Sequence, residues 1–110
     1  MTEKSKKYLS DILRAIVLIE DFTVDISDFK AYQEDLKTQS AVERQLAIIG
    51  EALNQLKKEE PNLEVENDKQ IIGFRNRLVH SYDSIDNSIV WAILNRHIKK
   101  LKKEIQKANK

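Results

Sequence analysis

Residues 75–83 bring together the side-chain types that could act on a phosphodiester. They read Arg-Asn-Arg-Leu-Val-His-Ser-Tyr-Asp and follow the largely apolar residues 71–74. The planar fork of an arginine matches a phosphate, and a histidine takes and returns a proton near neutral pH. RNA carries its own nucleophile, the 2′-hydroxyl, so one proton shuttle and one phosphate clamp could move that hydroxyl onto the adjacent phosphorus. The residue types alone leave helix capping and a surface network of ion pairs as the alternative.

The spacing of these residues sets a geometric condition on such a site. On an ideal helix Asn76 and His80 share a face, whereas Arg75 and His80 lie about 140° apart around the axis. Arg75 and His80 can therefore meet one ligand only if the helix ends or bends near His80, or if a second subunit supplies one of them. The polar residues 81–84 favour a helix end.

The composition excludes several other kinds of site. The 110 residues include no cysteine, two histidines, two glycines and one proline. A disulfide framework, a thiolate metal site, a three-histidine zinc site and a glycine-rich phosphate loop therefore cannot be built. We expect no metal and no cofactor in the site.

The charges are unevenly placed although the formal net charge is only +1. Residues 96–110 hold seven basic side chains and one acid, Glu104. This segment is either a solvated helix face or an edge that attracts phosphate. No apolar run reaches the length of a membrane span, and Arg14 and Glu20 follow the N-terminus too closely for a signal peptide. We expect a cytoplasmic protein without membrane contact, folded as one domain over residues 1–110.

Apolar periodicity predicts helices throughout and no strand. Ser27 and Asp86 are the expected N-caps of the second and fifth helices, and Pro61 should end the third. In the third helix, Val42, Leu46, Ile49, Leu53 and Leu56 form a narrow apolar seam. The predicted helices cover residues 5–21, 27–38, 40–60, 67–79 and 86–110. The expected fold is an all-α antiparallel bundle of about five helices that forms a dimer.

Both glycines fall inside predicted helices, where glycine costs about 1 kcal/mol relative to alanine. Gly50 and Gly73 each follow a pair of isoleucines. Either glycine could allow two helices to approach closely, and Gly73 could instead leave room for the backbone of a ligand.

Three segments of the chain closely resemble the HepT-like branch of the HEPN superfamily. They are residues 43–53, 71–82 and 89–91, in the expected order and with the expected gaps. The specific part is the motif of Arg-Asn, three residues, His, one residue and Tyr. This resemblance implies a dimeric helical bundle that acts as a metal-independent endoribonuclease toxin of a type VII-like toxin–antitoxin pair. It also implies a minimal nucleotidyltransferase antitoxin that transfers AMP from ATP to the motif tyrosine.

The resemblance assigns roles to four residues. Arg75 would hold the scissile phosphate of the RNA substrate, and His80 would be the general acid and base. Asn76 would support them, and Tyr82 would be the adenylylation target.

For other polar residues the structural explanation competes with a functional one. Arg44 and Arg77 could extend the RNA-binding surface or could form surface ion pairs. Glu43 and Glu51 should pair with cationic side chains rather than bind metal. His97 should be a surface or half-buried residue of the last helix.

Two functions of other classes remain open at this point. The chain could be a non-catalytic helical partner that docks a nucleotidyltransferase and helps to present its substrate. It could also be a helical dimerisation module, although this leaves residues 75–83 without a role.

Overall fold

The computed structural model describes residues 1–109, except for the side chain of Tyr82; Lys110 lies outside the described residues. Every regular element in this part of the chain is helical, which confirms the all-α prediction. The elements are α1 (Glu3–Thr23), α2 (Phe29–Gln33), α3 (Leu36–Glu59), α4 (Asp68–His80), a 3₁₀ turn (Tyr82–Ser84), α5 (Asn87–Ala92), a π-helical segment (Ile93–His97) and α6 (Ile98–Ala108).

Helix α3 lies at the centre of the fold and packs against both α1 and α4. Its predicted seam of apolar side chains is entirely buried, as are Ile12, Ile16 and Ile19 of α1. Helix α6 covers α1, while α2 links α3 to α5. Among residues 1–109, no helix is both long enough and apolar enough to cross a bilayer.

The predicted second helix is wrong at both ends because two aspartates form the caps. Asp28, rather than Ser27, begins α2 by accepting a hydrogen bond from the backbone N–H of Ala31 at 2.9 Å. Asp35 accepts from the backbone N–H of Thr38 at 2.9 Å and from its hydroxyl at 2.7 Å. Helix α3 therefore starts at Leu36 instead of near residue 40, in a stretch assigned to the second helix.

The structure has one helical rod where the fifth helix was predicted. Within this rod a π-helical segment separates two α-helices, α5 and α6. Asp86 caps its start as expected, with its carboxylate accepting from the backbone N–H of Ser88 at 2.8 Å. The wider π turn then carries His97 between α5 and α6. Such turns are rare and occur often at functional sites.

Candidate functional site

The side chain of Arg75 projects from α4 at the point where this helix packs against Gly50 of α3. A Cβ atom placed on Gly50 would lie 2.8 Å from Arg75 Cγ, 3.3 Å from the carbonyl oxygen of Ile71, and closer still to Arg75 Cβ. Ordinary carbon–carbon contacts are about 3.5–4.0 Å. Gly50 therefore lets the stem of Arg75 lie directly against the backbone of α3, which confirms the predicted close approach of two helices at this glycine.

The guanidinium group of Arg75 is held by two side chains. Its Nη2 lies 2.7 Å from Oε2 of Glu51 in an ion pair, and its Nη1 donates a hydrogen bond to Oδ1 of Asn76 at 3.0 Å. The other carboxylate oxygen of Glu51 accepts from Nε2 of Gln55 at 3.1 Å. These partners occupy two of the five N–H donors of the arginine, and its side chain is 25% exposed. The guanidinium is thus oriented while part of it remains open to solvent.

A groove of about 940 Å³ between α1, α3 and α4 contains Arg75, and we call it the Arg75 groove. It is lined by Lys7, Tyr8, Asp11, Ser40, Glu43, Arg44, Ala47, Ile48, Glu51, Ala52, Gln55, Arg75, Leu78 and Val79. An apolar strip therefore runs beside the guanidinium. Val79 in this strip is 49% exposed.

His80 lies on a different side of α4. The helix remains regular through His80 and ends at Ser81, whose backbone N–H donates to the carbonyl of Arg77 at 2.8 Å. The predicted helix end is confirmed, but it comes after His80 and leaves this residue about 140° from Arg75 around the axis. His80 and Asn76 are exposed on one face, and neither lines the Arg75 groove. Arg75 and His80 therefore leave α4 in different directions, although the Arg75 guanidinium reaches Asn76 on the His80 face.

The three tyrosines differ in accessibility. The backbone of Tyr82 forms the 3₁₀ turn directly after α4, and its side chain lies outside the described residues. Tyr32 is 0% exposed, and burial raises the pKa of its hydroxyl. Tyr8 is half-buried and lines the Arg75 groove. Of the two tyrosines other than Tyr82, only Tyr8 is accessible to a modifying enzyme.

The two additional arginines lie on different surfaces. Arg44 lines the Arg75 groove, whereas Arg77 lies on the side of α4 that faces α5. Neither forms an ion pair with any side chain that the structure describes. Hydrogen bonds from Ser88 lower the pKa of Asp86, and the nearby charge of Arg77 adds to this effect.

The acidic residues of α3 behave differently from each other. Glu51 forms the expected ion pair, although its partner Arg75 was not evident from the sequence. Burial raises the pKa of Glu43. Within residues 1–109, no three histidine or carboxylate side chains are grouped as metal ligands. His97 is half-buried, as predicted.

Two residues, Gly50 and Glu51, have parts in the site that the sequence did not reveal. Gly50 was identified only as a general packing glycine, and Glu51 only as a member of some ion pair. The sequence did carry one signal. A glycine that no turn explains lies inside a predicted helix and is directly followed by an acidic residue. Arg75 could not be identified as their partner, because this contact depends on how α3 and α4 pack.

Comparison of the sequence with known proteins shows a family relationship. The family model described as Ribonuclease HepT-like matches residues 12–108. A protein of Thermococcus cleftensis named "Probable ribonuclease HepT" is 37% identical over 111 residues, covering 100% of both chains. A "Putative RNase" of Methanocaldococcus jannaschii is 35% identical over 92% of this chain and 93% of its own length. No solved structure matches the chain at a significant level. The chain therefore belongs to the HepT-like ribonuclease family.

Proposed function

We propose that this protein is an endoribonuclease toxin that cleaves RNA without a metal ion and is neutralised by a nucleotidyltransferase antitoxin. The observation that carries the proposal is the placement of Arg75. Gly50 removes the steric barrier to its stem, and Glu51 and Asn76 orient its guanidinium. An arginine oriented in this way, and open to solvent, is suited to hold a phosphate.

In the proposed reaction the RNA supplies the nucleophile. His80 removes the proton from a 2′-hydroxyl, whose oxygen then attacks the adjacent phosphorus. Arg75 stabilises the charge that develops on the phosphoryl oxygens. The bond to the 5′-oxygen breaks and that oxygen receives a proton. The products are a 2′,3′-cyclic phosphate and a 5′-hydroxyl, and each proton removed is balanced by one returned.

The proposed active form is a homodimer, because one protomer holds Arg75 and His80 on separate sides of α4. A second copy that packs along the apolar strip of the Arg75 groove would cover Ile48 and Val79 and bring its own α4 close to this one. Light scattering should then give about twice the 12.8 kDa mass of one chain at micromolar concentration. A mass of one chain under those conditions would contradict the dimer.

The first test separates chemistry from folding. Arg75→Ala and His80→Ala should each abolish RNA cleavage and growth toxicity while helical circular dichroism and dimer mass stay unchanged. Arg96→Ala is the matched control, because Arg96 is exposed and does not line the Arg75 groove. Cleavage should continue in excess EDTA and leave cyclic phosphate ends. Products with a 5′-phosphate and a 3′-hydroxyl would contradict this mechanism.

The same preparations test the non-catalytic alternative. A helical partner that only docks a nucleotidyltransferase would bind that protein but would cleave no RNA, whatever residue stands at position 75 or 80. Cleavage that depends on both Arg75 and His80 would therefore exclude it.

Neutralisation is proposed to occur by transfer of AMP from ATP to the hydroxyl of Tyr82. Because Tyr82 follows His80 by two residues, the added phosphodiester would bring negative charge and bulk to the RNA-binding surface. Tyr82→Phe should keep much of the cleavage activity and resist the antitoxin with Mg-ATP. Tyr8→Phe is the matched control and should still gain the mass of one AMP, as measured on the intact protein. Adenylylation of the Tyr82→Phe variant would show that the target is another residue.

A further inference from the structure

A second cleft, separate from the Arg75 groove, lies between α4 and the rod formed by α5 and the π-helical segment. Its volume is about 490 Å³, within the range of about 300–1,000 Å³ found for small-molecule sites. We call it the Gly73 cleft. It is lined by Lys69, Gln70, Gly73, Phe74, Arg77, Ser88, Ile89, Ala92, Ile93 and His97.

The backbone of Gly73 faces open space in the cleft. A Cβ atom placed on Gly73 would meet nothing within 4 Å. Close helix packing therefore does not explain this glycine, in contrast to Gly50, although a glycine within a helix costs about 1 kcal/mol. A side chain at position 73 would project into the cleft, whose apolar lining consists of the half-buried Ile89 and the edges of the buried Phe74 and Ile93.

The rim of the cleft carries hydrogen-bond donors and positive charge. Lys69 and Arg77 lie one turn of α4 on either side of Gly73, and both are exposed. From the opposite wall, the π-helical segment contributes His97 and the start of α5 contributes the Ser88 hydroxyl. An apolar floor with a cationic rim fits a flat apolar ring that is joined to phosphates.

The Gly73 cleft also lies on the same side of α4 as His80. With 100° per residue, Lys69, Gly73, Asn76, Arg77 and His80 all fall within a sector of about 100°. Gly73 precedes His80 by seven residues, or about 10 Å along the helix axis. A strand of RNA at His80 could therefore continue along α4 to the cleft without crossing the bundle.

We propose that the Gly73 cleft binds one nucleobase of the RNA substrate beside the cleavage site. The base would lie against the apolar lining of the cleft, where the half-buried Ile89 is exposed more than Phe74 or Ile93, and its flanking phosphates would contact Lys69 and Arg77. This inference rests on the proposed ribonuclease function, which it extends by defining where the enzyme holds its substrate. Contacts with a base can provide sequence preference, whereas contacts with phosphates cannot.

Filling the cleft should weaken RNA binding without weakening the fold. Gly73→Leu replaces a helix-destabilising residue with a helix former, so the melting temperature should stay the same or rise. Affinity for single-stranded RNA, measured in the His80→Ala background to prevent cleavage, should fall about 10-fold. Gln106→Leu is the matched control, since Gln106 is an exposed position of α6 outside the cleft. Its RNA affinity should equal that of the parent protein.

A cross-linking experiment locates the base directly. Single-stranded RNA that contains 4-thiouridine, irradiated with the His80→Ala protein, should attach to peptides from residues 69–77 or 88–97. Lys69→Ala should weaken RNA binding more than Lys103→Ala, which removes the same charge from an exposed position of α6.

The possible failures are distinguishable. If the wild-type protein cleaves RNA but Gly73→Leu binds RNA like the parent, the subsite is refuted and the proposed function stands. Cross-links confined to other segments would also refute the subsite. So would loss of the dimer in Gly73→Leu with unchanged RNA affinity. If the wild-type and His80→Ala proteins neither cleave nor bind RNA, the proposed function fails and this inference with it.

Discussion

Gly50→Ala is the substitution that tests most directly how the fold places Arg75. The added methyl carbon would lie 2.8 Å from Arg75 Cγ, roughly 1 Å inside an ordinary contact distance of about 3.5–4.0 Å. Rotation of the arginine side chain cannot relieve the clash, because the methyl would also overlap Arg75 Cβ, which is fixed to the α4 backbone. Helices α3 and α4 must therefore move apart.

The expected change in stability combines two opposing effects. Overpacking costs about 1–3 kcal/mol, whereas replacing a glycine within a helix by alanine recovers about 1 kcal/mol. The net effect should be a loss of up to about 2 kcal/mol, or up to about 16 °C in melting temperature for a domain near this size. Gly73→Ala is the matched control, because its methyl would meet nothing within 4 Å. It should raise stability by about 0.5–1 kcal/mol.

The loss of activity in Gly50→Ala should exceed the loss of stability. A displacement of about 1 Å in a substrate-positioning group can reduce a rate about 100-fold. Thermal unfolding followed by circular dichroism, with RNA cleavage measured well below the melting temperature, separates the two effects. If Gly50→Ala melts at or above the wild-type temperature and cleaves RNA normally, Gly50 is not needed to place Arg75.

Two further substitutions test charges in the Arg75 groove. Burial raises the pKa of Glu43, so its ionised form opposes folding, and stability falls as pH rises through the raised pKa. Glu43→Gln should therefore raise the melting temperature at pH 7, and its advantage should vanish below about pH 4, whereas Glu34→Gln at an exposed site should show neither effect. Glu51→Gln keeps an oxygen that can accept from Arg75 but removes the competing negative charge. RNA affinity, measured by titration in the His80→Ala background, should therefore increase; a decrease would show that the charge of Glu51 is required to hold Arg75.

The bundle itself was predictable because its core depends on a periodic pattern. The apolar residues of α1 and α3 recur at helical spacing, and burial of these stripes requires little knowledge of their neighbours. The caps were harder to predict, since Ser27 and Asp28 are adjacent and both residue types begin helices. The π-helical segment left no signal, because Val90, Leu94 and Leu101 also fit an uninterrupted helix.

The residues of the site were predictable by type, but their partners were not. Arg75 and His80 were evident from their chemistry and from the family motif. The ion pair of Arg75 with Glu51 depends on α4 crossing α3 at Gly50, which joins residues more than 20 positions apart in sequence. Gly73 was considered as room for a ligand backbone. The structure shows open space there, and the cleft becomes visible only when α5 and its π turn are in place.

The separation of Arg75 from His80 around α4 leads to a quantitative prediction about subunits. If each active site combines Arg75 of one protomer with His80 of its partner, a dimer of one Arg75→Ala chain and one His80→Ala chain retains one intact site of two. Random exchange of equal amounts makes about half of the dimers mixed. Two inactive proteins should therefore recover about one quarter of wild-type cleavage after mixing, unfolding and refolding together. If both residues act within one chain, no mixed dimer contains an intact site, and the mixture should stay inactive. Full inactivity, with mixed dimers verified by mass spectrometry, would therefore refute a site shared between subunits.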